Sequence, residues 1–168
     1  KVHQHTRAPI SDFRVASRRF EHIHVDIVGP LPVSQGYTHL LTIIDRYSRW
    51  PEAIPVVDTS AISLARALLH VWIARFGIPA RITSDRGSQF TSTIWSQLSK
   101  LLGVELHRTT AYHPQANGLV ERFHRDLKAS LRARLEGPNW MDELPWVLLG
   151  LRTAPKEDLH ASVAELIY

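Results

Sequence analysis

"FEHIHVDIVG" occupies residues 20–29, and its pattern sets the fold. Ile23, Val25 and Ile27 alternate with His22, His24 and Asp26, the period of two of a β-strand. Asp26 therefore lies on the face opposite the three aliphatic residues. Asp is depleted within strands, so a carboxylate there asks for a reason. Downstream, "GPLPVSQG" breaks the chain, and "THLLTIIDRYSRWPEAIPVV" supplies two more strands, near 39–46 and 52–57. Three strands joined by short links predict an antiparallel meander.

The pattern then changes. "TSAISLARALLHVWIARFG" is a helix capped by Thr59 or Ser60, with Ile62, Ala65, Leu68 or Leu69, Trp72 and Phe76 at steps of three and four. Gly77 and Pro79 end it. "ARITSD" is a short strand over 80–84, with Asp85 at its C-terminal end. Residues 92–102 are a second helix and 104–108 a fifth strand. "TTAYHPQANGLVERFHRDLK" begins as a polar loop through Asn117 and Gly118, then turns helical. Val120, Phe123, Leu127, Leu131 and Leu135 form its buried stripe, while Glu121, Arg125, Lys128 and Arg132 fall on another side. "NWMDELPWVLLGLRTA" predicts one more amphipathic helix and "SVAELIY" a last short one. The fold class is α/β, a five-stranded mixed sheet flanked by helices.

The 168 residues make one domain with a sizeable core. Apolar runs such as 40–44 are far too short to cross a membrane. With no Cys, disulfides and thiolate metal sites are excluded. The net charge of +4 and the pI near 9.8 favour an acidic polymer as partner. Residues 1–19 read as a basic linker, in which Lys1, Arg7, Arg14, Arg18 and Arg19 face only Asp12. His3 and His5 within it read as solvated tail residues. The chain opens on Lys1 and holds a single Met, Met141, as a piece of a longer protein would.

Three acids fall at or near element ends: Asp26 in the first strand, Asp85 after the fourth, and Glu121 in the first turn of the long helix. In an open α/β sheet, functional groups gather where strands end and helices begin. Taken singly, Asp85 can be a turn residue and Glu121 a helix N-terminal acid. Brought together, they would repel one another unless a cation sat between them. Hard divalent ions prefer such oxygen donors. Two ions roughly 3.5–4 Å apart would stabilise the attacking and leaving oxygens of an in-line displacement at phosphorus. Trp50, Trp72 and Trp95 have core spacing, and His24 is assigned a supporting role beside Asp26.

Asp85 and Glu121 are separated by 35 residues. With Asp26 upstream, this resembles the D,D-35-E triad of retroviral and retrotransposon integrases, members of the ribonuclease H-like superfamily. "HVDIVGPLP", "TIIDRYSRWPEAIP", "RFGIPARITSDRGSQFTS", "TTAYHPQANGLVERFHRDLKASLRA" and "LPWVLLGLRTAPKEDL" look like the integrase core of Ty3/gypsy-type long-terminal-repeat elements or retroviruses. The resemblance covers residues 20–168. It implies a ribonuclease H-like fold, and a missing N-terminal zinc-binding domain and C-terminal DNA-binding domain on either side. It implies Mg²⁺ or Mn²⁺ held by Asp26, Asp85 and Glu121. It also implies two reactions at one site: hydrolysis near the 3′ ends of element DNA, then attack of the new 3′-hydroxyls on target DNA. Such work belongs in the nucleus, in a nucleoprotein complex that first passes through the cytoplasm.

On this reading, the loop over 112–117 is mobile without DNA, and Tyr112, His113, Gln115 and Asn117 meet the terminal nucleotides. Arg125 and Lys128, one and two turns beyond Glu121, hold phosphates. The helices over 60–76 and 140–153 carry more apolar positions than one sheet face needs. This predicts a homodimer or higher oligomer with Trp72, Trp146 and Leu149 as candidate contacts. Three rivals are a nuclease cutting RNA–DNA hybrids, a domesticated binding module and a plain oligomerisation domain. The loop and the 35-residue interval speak against the first, three intact acids against the second, and the placement of those acids against the third.

Overall fold

The computed structural model describes residues 16–109, 114–134, 137, 139–157 and 159–168, without the side chains of 114–117. Five strands form one sheet in the order β3-β2-β1-β4-β5. The strands are β1 (His22–Val28), β2 (His39–Asp45), β3 (Pro51–Val56), β4 (Arg81–Ser84) and β5 (Glu105–Arg108). β1, β2 and β3 pair antiparallel, as the short connections require, whereas β1–β4 and β4–β5 are parallel. The predicted mixed sheet is present.

The first helical segment is α1 (Ala61–Ala67), a π-helical stretch (Leu68–Ile73) and α2 (Ala74–Phe76). The Ser60 hydroxyl caps it by accepting from Ser63 N, and Gly77 at φ 84° ends it. α3 (Thr93–Leu102) is capped by Ser92 and closed by Gly103 at φ 70°. The last three helices are α4 (Pro114–Arg134), α5 (Trp140–Thr153) and α6 (Val163–Ile167). Before α6, the two-residue strands β6 (Pro155–Lys156) and β7 (Ala161–Ser162) pair as a ribbon.

Both faces of the sheet are covered, giving two cores. On one, Ile23, Val25, Leu41 and Ile43 pack with Leu64, Leu68, Trp72, Phe90 and Trp95. On the other, Val28, Leu40 and Ile44 pack with Phe123, Leu127 and Leu131 of α4 and Trp140, Leu144 and Val147 of α5. β2 is therefore buried throughout except at His39, and its polar Thr42 and Asp45 take internal partners. Asp45 accepts from Phe20 N, Ser48 N and Ser48 Oγ, which satisfies the turn into β3. The α4 stripe matches its sequence pattern at Phe123, Leu127 and Leu131; Leu135 lies outside the described residues. Truncating fully buried Leu127 to Ala would cost about 2–5 kcal/mol and loosen α4 from the sheet.

Two expectations change here. The long helix starts at Pro114, not near Gly118. Proline is favoured in the first turn of a helix, where its missing N–H has no partner to lose, and this outweighs the weak helix formers Asn117 and Gly118. Residues 114–117 are thus helical rather than loop. Trp72 is also fully buried, edge-on to Phe20 and Phe76, so it is core and not oligomer surface. Trp146 and Leu149 are exposed, at 59% and 51%.

Candidate active site

The parallel pairing of β1 with β4 brings the first two acids together. His24 is in register with Thr83. Asp26 lies two residues further along β1, and Asp85 is the first residue past the end of β4, so both stand at the C-terminal edge of this pair. α4 crosses this edge and contributes Glu121. All three acids line one cavity of about 440 Å³ together with His24, Thr83, Ser84, Arg86, Thr109 and His124.

The acids differ in environment. Asp26 is half-buried; Asp85 and Glu121 are exposed. Asp26 Oδ1 accepts from Ile27 N at 2.8 Å, and Asp85 Oδ1 accepts from Gly87 N at 2.8 Å. Burial raises the Asp26 pKa, and the negative charge of Asp85 raises it further. The Ile27 hydrogen bond and the Lys128 ammonium work the other way. The donor set is all oxygen and suits a hard divalent ion. Among the described residues, no three His, Asp or Glu side chains are already gathered into a closed ion-binding group.

Three histidines support this edge, and sequence reasoning gave only His24 a place near it. His24 lines the cavity and is held neutral by burial first, then by His22 and Arg46, with its pKa lowered to about 3. His22 stacks on it at 5.1 Å and shares a 2.6 Å hydrogen bond with Thr83 Oγ1. Burial, then Arg46 and Arg81, lowers His22 to about 4. His124 is bonded through Nε2 to Thr42 Oγ1 at 2.8 Å, while Nδ1 stands 3.9 Å from Asp26 Oδ2. Burial and Lys128 lower its pKa to about 4. The signal for His124 was present in the sequence: it lies three residues after Glu121, so helical geometry turns it toward the same cavity.

The other predicted contacts fare unevenly. Tyr112 and His113 lie outside the described residues, as do His3 and His5. Gln115 and Asn117 belong to the first turns of α4 rather than to a loop. Arg125 is exposed and approaches Asp126 at 3.8 Å. Lys128 is exposed and lines a neighbouring groove of about 400 Å³ with Arg132, Trp140 and the loop over 29–32.

A family model for the integrase core domain matches residues 16–114, and the chain belongs to that family. Asp26 and Asp85 fall inside the match. The chain is 37% identical over 150 residues to the Gag-Pol polyprotein of avian reticuloendotheliosis virus, covering 88% of the chain and 13% of that protein. It is 36% identical over 144 residues to the Gag-Pol polyprotein of walleye dermal sarcoma virus, covering 84% and 8%. The chain thus spans roughly a tenth of the polyproteins it matches. Among solved structures, the catalytic core domain of BIV integrase superposes with a TM-score of 0.70 at 23% identity, covering 88% of this chain and 93% of that one. The HTLV-2 integrase catalytic core domain in complex with magnesium gives 0.72 at 18% identity, covering 89% and 97%. The fold is the ribonuclease H-like fold of integrase cores. These relatives do not separate a Ty3/gypsy subtype from a retroviral one.

Proposed function

We propose that this chain is the catalytic core of a DNA integrase that trims the 3′ ends of element DNA and joins them to target DNA. The observation that carries the reading is that Asp26, Asp85 and Glu121 line one cavity at the end of two parallel strands. These three carboxylates would hold Mg²⁺ or Mn²⁺, which when bound supplies Lewis-acid stabilisation of charge on the reacting phosphate. The chain's own part is positioning. The Ile27 and Gly87 amides fix one oxygen each of Asp26 and Asp85, two residues that line the cavity. Glu121 rides on a helix clamped to the sheet by Phe123 and Leu127. Arg125 and Lys128 hold phosphates in ground and transition state alike, giving affinity rather than rate. Water, and then a 3′-hydroxyl, attacks phosphorus in one displacement each, so no protein nucleophile is needed.

The chain works as a homodimer or higher oligomer on DNA, with Trp146 and Leu149 of α5 at a subunit contact. Residues 1–19 act as a basic linker, and the complex functions in the nucleus after passing through the cytoplasm. The HTLV-2 core in its dimeric form and a simian T-cell lymphotropic virus intasome, both sharing this fold, support the oligomeric part. The test is Glu121→Gln in the full-length protein. Cleavage and strand transfer vanish while duplex affinity stays within about twofold, since the phosphate contacts remain. Full activity in a folded Glu121→Gln protein overturns the assignment.

A further inference from the structure

The Thr42 hydroxyl stands between the Asp26 backbone and the His124 ring. It donates to the Asp26 carbonyl oxygen at 3.1 Å, which uses its one proton. The same oxygen stands 2.8 Å from His124 Nε2 and, with its proton on the Asp26 carbonyl, accepts from the tautomer that carries Nε2–H. In that tautomer Nδ1 is left as a bare lone pair, 3.9 Å from Asp26 Oδ2, on a side chain that lines the same cavity. An ionised carboxylate oxygen is also only an acceptor. The Lys128 ammonium already acts on both groups from one side, and a cation between them would engage both lone pairs directly. The gap lies within the span of two metal–ligand bonds of about 2.0–2.2 Å meeting at one ion.

We propose that His124 Nδ1 is a fourth donor at the carboxylate site, giving it a mixed nitrogen–oxygen character and a preference for transition ions over Mg²⁺. The inference rests on the metal reading of Asp26, Asp85 and Glu121. The spacing agrees with it: a Glu and a His three apart on one helix turn their side chains to one side, as Glu-x-x-His pairs do in carboxylate-bridged metal bundles. The Nε2–H···Oγ1 bond to Thr42 supplies the outer partner that a ligating imidazole needs for a fixed ring orientation. Imidazole favours later transition ions, whereas carboxylates alone suit Mg²⁺ and Mn²⁺.

Mn²⁺ binding to the 168-residue chain, followed by pulsed electron paramagnetic resonance, tests this. The bound ion shows coupling to an imidazole nitrogen in the wild type. In His124→Asn the coupling disappears and Mn²⁺ affinity falls on the order of tenfold, with Mg²⁺ affinity changing less. Asp26→Asn abolishes binding. If His124→Asn does not fold, ¹⁵N-histidine spectra of the wild type serve instead, with the His124 Nδ1 resonance moving on addition of Zn²⁺. Asp26-dependent binding without nitrogen coupling, or with coupling that survives His124→Asn, overturns the proposal and leaves the carboxylate site standing. Unchanged Mn²⁺ binding in Asp26→Asn overturns both.

Discussion

Removing the Glu52 carboxylate should unlock the sheet edge from α5. Glu52 on β3 is 5% exposed and is bonded to Arg75 Nη1 at 2.9 Å and to Arg152 Nη2 of α5. Arg152 also donates through Nε and Nη2 to Pro51 O and lies 4.3 Å over the Trp50 ring. In Glu52→Ala the Arg152 guanidinium stays largely buried without its counter-charge, a situation that typically costs about 3–5 kcal/mol. Two features reduce this. Arg152 keeps Pro51 O and the Trp50 face, and the Arg75 side chain, 43% exposed, can turn to water. The expected loss is therefore about 2–3 kcal/mol, or roughly 5–10 °C in Tm for a chain of this size. Urea unfolding at pH 7 measures it. A double variant, Glu52→Leu with Arg152→Met, should recover most of the loss, because an apolar pair fills the space without stranding a charge. A loss below about 0.5 kcal/mol in Glu52→Ala would refute the reasoning.

Other outcomes follow from the same geometry. The His22 pKa is lowered from 6.5 to about 4, so the unfolded chain takes up the proton first as pH falls. Its contribution is complete above pH 6.5 and is lost between 6.5 and about 4. The loss reaches about 2 kcal/mol by pH 5, and urea midpoints across this range should fall less steeply in His22→Gln, with the His24 and His124 contributions remaining. Lys128→Ala should weaken duplex binding and reduce the slope of log K against log salt by about one, as read by fluorescence anisotropy; an unchanged slope argues against a phosphate contact. Trp146→Glu should shift sedimentation toward the monomer without lowering Tm, because Trp146 is 59% exposed; a stable dimer in that variant removes α5 from the interface.

The sheet was legible because β1 carries a clean period of two and the turn residues punctuate the meander. What the period could not convey is that both faces are covered. His22 and His24 alternate with aliphatics as solvent-facing residues would, yet burial holds them neutral in or beside the second core. The acids could be picked out from type and placement, with a known resemblance to tie them together. Their adjacency, however, depends on the His24–Thr83 register, which no local pattern encodes. The helix start was misread because Asn117 and Gly118 look like a loop, while Pro114 at the first turn decides the matter. Trp72 has core spacing yet was also offered as a subunit contact, because helical spacing names a buried stripe without saying what covers it. Phe20 and Phe76 of the same chain do so.

The central claim, that Asp26, Asp85 and Glu121 form one metal site, is tested most directly by anomalous diffraction from a crystal of the chain soaked in Mn²⁺. The account predicts an anomalous peak between the Asp26 and Asp85 carboxylates, within about 2.0–2.4 Å of an oxygen of each, and absent from Asp26→Asn crystals. A fully soaked crystal with no peak there, or with a peak that persists in Asp26→Asn, would contradict it.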